Sequence, residues 1–342
     1  MLTIGLDVHQ TRTSVCVLDV KGNTIREQEI KGDYGAVAET LSKVAEPFQV
    51  CYEASTGYGA LHERLSPLAS KIAVAHPGRL RLIYQSTKKS NRVDARKLAS
   101  LMHLNQVPLV HVPRQEVRSW RGLIEHRRSL VDQIVGIKNQ IRALLRCQGI
   151  KGLPGKRMWS KVGLAWLSEV KWPTEMEALR MEILVEQLSD QNKKLDRVTK
   201  VLDEIGEKHA GVKLLMTIPG VGARTAEAFV AYVDDPHRFG SGTIGAYFGL
   251  VPREDSTGDK RRLGHITREG PSTVRKLLTE AGWRGSRESA KVKEIFDRHL
   301  RGDKGRRKLA IVATGHWLCR VMLAMLRSGE AFREKEAVPA KQ

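Results

Sequence analysis

The sequence predicts an α/β domain followed by a long, mostly helical remainder. Three observations carry this. Short β-branched and apolar runs alternate with turn residues over the first 77 positions. Two stretches of more than 30 residues then repeat apolar residues every three or four positions. A Gly-rich, basic loop interrupts a last set of helical patterns.

Residues 2–9, "LTIGLDVH", read as a strand that reaches Asp7 near its end. "TSVCVLDV" (13–20) alternates as a second strand. Gly22-Asn23 supplies a turn, and "TIREQEI" continues as a third, giving an antiparallel meander. Residues 34–46 form an amphipathic helix, "FQVCYEAS" (48–55) a strand with Glu53 near its end, and "GYGALHERLSPLA" a helix. "KIAVAHP" (71–77) is a further strand, and another helix begins near Asn91. The order β-β-β-α-β-α-β-α gives a mixed sheet with helices over residues 1–112.

Residues 113–210 change character. "EVRSWRGLIEHRRSLVDQIVGIKNQIRALLRC" lacks proline and reads as one long helix. After "IKGLPGK", a second long pattern over 174–208 has the charged flanks of a coiled coil. Together they predict an antiparallel helical hairpin, either a packed subdomain or a dimerisation arm. Residues 211–332 are helical around a long loop at 249–270, and 333–342 form a frayed tail.

The charge balance narrows function. Lys and Arg number 58 against 38 Asp and Glu, a net +20 spread along the chain, which points to a polyanionic partner and foremost to nucleic acid. No run of about 18 apolar residues predicts a membrane span, and the N-terminus begins as a strand rather than a signal peptide. Cys16, Cys51, Cys147 and Cys319 form no CxxC pair and read as reduced core thiols of a cytoplasmic protein.

Three groups of residues carry chemistry. Asp7 and Glu53 sit near strand ends, and Asp94 lies one turn into a helix, with Asn91 three positions earlier. Carboxylates converging there are hard oxygen donors of the kind that hold one or two Mg²⁺ ions on a phosphodiester. Each also has an ordinary reading as a solvated strand end or helix cap, and Asn91 is placed either to cap its helix or to turn its oxygen to the metal. "IPGVGARTA" (218–226) has a helix-hairpin-helix pattern, in which Gly220, Gly222 and Arg224 would meet a phosphate, or it is a plain packing turn. In "GLVPREDSTGDKRRLGHITREG" (249–270), Ser256 and Thr257 precede a run containing Lys260, Arg261, Arg262 and Arg268. A hydroxyl among guanidinium groups suits attack on a phosphodiester, and the same composition suits a loop that only grips phosphate. Ser256, a primary hydroxyl, is the preferred nucleophile, with Asp255 to orient it and His265 as a helper.

The strand order with its placed acids resembles the ribonuclease-H-like fold. The actin-like ATPases share a first strand of the "IGLDVHQT" type, yet this chain has no second copy of their phosphate loops. Taken jointly, "GLDVHQ", "CYEASTGYG", "NRVDARKLA", "IPGVGARTA" and "FGLVPREDSTGDKRRLGHITREG" resemble, in order and over nearly the whole chain, the DEDD, RuvC-like insertion-sequence transposases guided by a bridge RNA. The resemblance implies an N-terminal RuvC-like domain, a coiled-coil dimerisation segment and a C-terminal transposase domain. It implies a homo-oligomer, dimer to tetramer, acting on donor and target DNA chosen by a structured guide RNA. It also implies a composite active site, in which an acidic quartet with Mg²⁺ joins a serine that becomes linked to DNA. Asp7, Glu53 and Asp94 match three of the four acids, and Asn91 stands where the third is expected. The expected function is RNA-guided DNA transposition. A metal-dependent nuclease or junction resolvase is the alternative, and a non-catalytic nucleic-acid-binding descendant the third reading.

Overall fold

Alternating burial builds the first sheet. The computed structural model describes residues 1–83, 90–240, 242–257 and 262–334. Its contacts divide the chain into two units, Met1–Arg118 and Ser119–Gln342.

In the first unit, β1 (Leu2–Val8), β2 (Arg12–Leu18) and β3 (Thr24–Lys31) form the predicted meander. Helix α1 (Tyr34–Ser42) follows, capped by Asp33, whose carboxylate accepts from the Gly35 and Ala36 amides. Then come β4 (Phe48–Glu53), α2 (Tyr58–Leu65), β5 (Lys71–Ala75), α3 (Pro77–Ile83) and α4 (Asn91–His103). The sheet order is β3-β2-β1-β4-β5, with β4 and β5 parallel to β1. This is the mixed, ribonuclease-H-like arrangement the sequence predicts.

The period of two sorts the strands. Leu2, Ile4 and Leu6 of β1, with Val50 and Tyr52 of β4, face Val37 and Leu41 of α1 and Leu61 and Leu65 of α2. The opposite face carries α4, whose Leu98 and Met102 pack on Cys51, Ala73 and Ala75. Gly5 lets α4 lie against the sheet, since a Cβ there would overlap the Ala95 carbonyl oxygen and the Ala99 amide nitrogen. A Cβ at Gly22, near the start of β3, would meet His103 at the far end of α4. Helix α4 therefore runs antiparallel to β1, and its first turn reaches the end of the sheet where Asp7 lies.

In the second unit, α5 (Gln115–Cys147) continues from the boundary, followed by α6 (Lys161–Glu169) and α7 (Glu175–Lys208). Arg127 Nε donates to Thr199 Oγ1 at 3.1 Å, and Gln148 Nε2 donates to Glu177 Oε1 at 2.7 Å. Those pairings make α5 and α7 the antiparallel hairpin that the apolar periodicity predicts. Ile137, Ile141 and Leu144 meet Met181, Leu184 and Leu188 in its core. At the other end Trp120, Ile124 and Leu202 join the core of the C-terminal helices.

Those helices are α8 (Ala210–Leu215), α9 (Ala223–Val233), α10 (Thr243–Tyr247), α11 (Ser272–Glu288), α12 (Ala290–Leu300) and α13 (Arg307–Ser328). Helix α13 is apolar and long enough to cross a bilayer, yet half of its apolar window is buried, with Leu318, Cys319 and Met322 in the core. Cys147 is exposed, in contrast to the core position expected of it; Cys16, Cys51 and Cys319 are buried. The long loop of 249–270 also differs from expectation. Residues β6 (Pro252–Glu254) and β7 (Leu263–Ile266) pair antiparallel into a small hairpin. Both strands are mostly exposed, so no apolar alternation marks them.

Candidate functional site

Two adjacent parallel strands bring the first two acids to one edge. Asp7 and Glu53 each follow the paired residues Leu6 and Tyr52 by one position. Both lie on the α4 face, because Gly5 and Cys51, two positions earlier, touch that helix. Asp7 Oδ2 lies 3.1 Å from His9 Nε2 and its side chain is 19% exposed. Asp94 is half-buried in the first turn of α4, its Oδ1 accepting from Lys97 Nζ at 3.3 Å.

Asn91 is the first residue of α4 and is not its cap. Ser90 caps the helix, its hydroxyl accepting from the Val93 amide at 3.4 Å. This resolves the choice the sequence leaves open in one respect: the Asn91 side chain is not spent on capping. Among the described residues no three His, Cys, Asp or Glu side chains stand together closely enough to hold a metal ion. In chemistry the four positions offer hard oxygen donors of the kind Mg²⁺ takes, while the structure does not draw Asp7, Glu53 and Asp94 into one cluster.

The serine sits beyond β6. Its Oγ donates to Glu254 Oε1 at 3.0 Å and accepts from the Arg262 amide at 3.2 Å. Glu254, rather than the expected Asp255, is thus the carboxylate beside Ser256. The Asp255 amide is bonded across the hairpin to the Arg262 carbonyl. Two residues apart on an extended chain, positions 254 and 256 share a side. That spacing was the signal in the sequence, hidden by the absence of a recognisable strand. Thr257, His265 and Arg268 are exposed. Lys260 and Arg261 lie outside the described residues.

The hairpin base is pinned. Arg275 Nη1 donates to the carbonyls of Phe248 (3.1 Å), Glu269 (2.5 Å) and Gly270 (3.2 Å). Gly270 has φ +65°, and a Cβ there would overlap the Tyr247 carbonyl oxygen.

The 218–226 turn joins α8 to α9. Gly220 (φ +87°) packs against the Gly285 backbone of α11, so its glycine serves a close approach inside the unit. Gly222 is exposed at the start of α9, with no side chain capping that end. Arg224 turns inward, ion-paired to Asp203 and, at 3.3 Å, to Glu227 Oε1. The phosphate contact expected of Arg224 is therefore taken by two carboxylates.

Glu227 has no counterpart in the sequence reading. Its side chain is 2% exposed, and burial pushes its carboxyl up from 4.5 to about 7, against the pull of Arg224 and Arg127 and with the push of Asp203. A raised carboxyl pKa favours the fold while the group is protonated. The stabilisation is full below pH 4.5 and is lost as pH rises through 7. The loss amounts to about 3 kcal/mol. Unfolding of Glu227→Gln should show a flatter dependence between pH 5 and 8 than the parent chain. Parallel profiles for the two chains would contradict the assignment.

Two stretches of the chain match known protein families. Residues 4–148 match a transposase family of the DEDD, IS110 type, and residues 212–297 match the "Transposase IS116/IS110/IS902 family". Each match covers less than half of the chain, and both family models describe transposases. It is 28% identical to the transposase-class protein y4qE of Sinorhizobium fredii over 82% of this chain and 70% of that one. It is 25% identical to the transposase of insertion sequence IS1111A from Coxiella burnetii, over 80% and 75% of the two chains. It is 24% identical to the IS1328 transposase of Yersinia enterocolitica, over 81% of each. The first match includes the sheet with Asp7, Glu53, Asn91 and Asp94, and the second includes the turn at 218–226 and the Ser256 hairpin.

Proposed function

We propose that this chain is an RNA-guided DNA transposase that cuts and rejoins DNA through a covalent phosphoserine intermediate. The observation that carries the reading is the Ser256 hydroxyl held on the Glu254 carboxylate, in a hairpin whose base is fixed by Arg275. Glu254 would take the hydroxyl proton as Oγ attacks phosphorus, and the departing DNA oxygen leaves as a hydroxyl once it gains a proton. The new bond is a phosphoester on Ser256. Reversal by a second DNA hydroxyl rejoins the strand and frees the serine, so no external energy source is needed. Arg262 and Arg268 would balance the charge on the phosphorane, with Lys260 and Arg261 on the neighbouring DNA.

Asp7, Glu53, Asn91 and Asp94 would hold Mg²⁺, which supplies Lewis-acid neutralisation of phosphate charge when bound. Asn91 gives a neutral oxygen where an acid is expected, so affinity for the ion is lower than with four carboxylates. The net charge of +20 suits contact with both RNA and DNA backbones. The exposed apolar row Met176, Leu179 and Ile183 on α7 supports a role of the hairpin in homo-oligomer formation. The cytoplasm of a bacterium or archaeon is the setting this function requires.

Recombination of donor and target DNA is measured with purified chain, cognate structured RNA and Mg²⁺. Omitting the RNA should reduce product to background, and undiminished product would reject RNA guidance. Asn91→Asp should lower the Mg²⁺ concentration for half-maximal rate on the order of tenfold. An unchanged or raised requirement would remove Asn91 from the metal site.

A further inference from the structure

Helices α5, α9 and α11 enclose a partly open cavity of about 140 Å³ that the transposition chemistry does not use. Ile124, Val131 and Leu277 give it apolar walls. Glu227 and Arg224 also line it: Glu227 Oε2 is buried with no hydrogen-bond partner among the described residues, and Arg224 Nη1, though 3.3 Å from Glu227 Oε1 in their ion pair, makes no aligned hydrogen bond. Leaving such atoms unpaired is costly, so they mark a place where a ligand would supply the missing bonds. Arg128 and the half-exposed Lys276 also line it, each within 4.0 Å of Asp132.

Size, walls and polar edge together select a ligand class. A cavity of about 150 Å³ lined by aliphatic side chains holds one benzene ring. One six-membered ring fits within this volume, and the second ring of a purine would stand out in the open side. The polar edge offers one donor, Arg224 Nη1, beside one carboxylate, Glu227. Every pyrimidine base carries a ring carbonyl to accept from the first and an N–H to donate to the second. Arg128 and Lys276 in the lining suit the phosphate that follows the base.

We infer that this cavity receives a single unstacked pyrimidine base from a nucleic-acid strand, with Ile124, Val131 and Leu277 against the ring and Arg224 and Glu227 on its polar edge. The inference rests on the nucleic-acid-handling reading above and adds a base-reading site remote in sequence from Ser256. Extruding a base costs stacking energy, which is least in an unpaired strand. The strand is thus single-stranded DNA or an unpaired segment of RNA, and both present the same ring edge.

The test uses the full chain and photocrosslinking with two probes, a single-stranded DNA bearing 4-thiothymidine and a single-stranded RNA bearing 4-thiouridine. A DNA bearing 6-thioguanine is the purine control. Crosslinked peptides are mapped by mass spectrometry, and crosslinks elsewhere on the chain serve as the internal reference. A pyrimidine probe should crosslink within 124–131 or 273–280, and the probe that does so identifies DNA or RNA as the source. Val131→Trp, which fills the cavity, should remove that crosslink. Glu227→Gln, which keeps the shape, should weaken it on the order of tenfold. Oligonucleotides that bind and crosslink only elsewhere would overturn the pocket while sparing the proposed function. An undiminished crosslink in both variants, or an equal yield from the purine probe, would likewise overturn it. If neither probe binds the chain at all, the nucleic-acid reading falls with it.

Discussion

Gly5→Ala should destabilise the first unit by about 3 kcal/mol, the upper part of the range for forcing an extra methyl group into a packed interior. The added Cβ would overlap backbone atoms of Ala95 and Ala99 rather than a side chain that could rotate away. The strain is relieved only by lifting α4 from β1 and β2, the contact that Ala95, Ala99, Cys16 and Leu18 close on the neighbouring strand. Asn91 and Asp94 ride on the same helix. Their separation from Asp7 and Glu53 would therefore change together with stability. The expected result is a fall in melting temperature on the order of 10 °C. Residual activity at low temperature should also require more Mg²⁺. A variant with parental melting and Mg²⁺ response would show that α4 does not set the acidic edge.

The second large effect concerns the hairpin. Gly270→Ala combines a left-handed φ of +65° with overlap on the Tyr247 carbonyl oxygen. The left-handed conformation alone costs a residue with a Cβ roughly 1–2 kcal/mol. The overlap displaces the Gly249–Gly270 crossing that Arg275 ties together. Tyr247 and Phe248 belong to the core that α9, α11 and α13 share, so far-ultraviolet circular dichroism is recorded first and adduct rates are compared at equal folded fraction. In the proposed reaction, attack by Ser256 would depend on placement within about an ångström, so adduct formation should slow on the order of 10²-fold. Gly136→Ala is the control. Nothing lies within 4 Å of a Cβ there. In mid-helix it should be neutral or stabilising by up to about 1 kcal/mol. Equal adduct rates in the parent and Gly270→Ala would separate the hairpin base from catalysis.

What the sequence revealed follows from how strongly each element is patterned. Strands β1, β2 and β4 are buried on both faces or alternate cleanly, so "LTIGLDVH", "TSVCVLDV" and "FQVCYEAS" were legible as strands, each running one or two residues past its observed end. The two long helices were legible because 30 residues of one period outweigh any local exception. Helix α6 is nine residues after a Gly/Pro-rich link, and the β6–β7 pair is three residues against four, mostly exposed. Neither is long enough to show a period. For the site, Asp7, Glu53 and Asp94 could be named because strand ends and helix starts are where rigid elements present side chains. The roles of Ser90, Glu254 and Glu227 were not legible. Ser90 and Glu227 depend on a cap and a burial that no spacing along the chain specifies, and the two-residue spacing of Glu254 and Ser256 has meaning only once that segment is known to be extended. Arg224 shows the converse. Its place after a glycine turn reads as a phosphate contact, while Asp203, 21 residues earlier on α7, draws it inward.

The most direct measurement of the central claim is a search for a covalent protein–DNA adduct. Full-length chain, Mg²⁺, cognate RNA and end-labelled DNA are incubated, denatured and resolved with and without protease. The account predicts a protease-sensitive adduct in the parent chain, retained in Thr257→Ala and absent in Ser256→Ala. Strand cleavage with no adduct would instead assign the chemistry to the acidic edge alone, and loss of the adduct only in Thr257→Ala would contradict the choice of nucleophile.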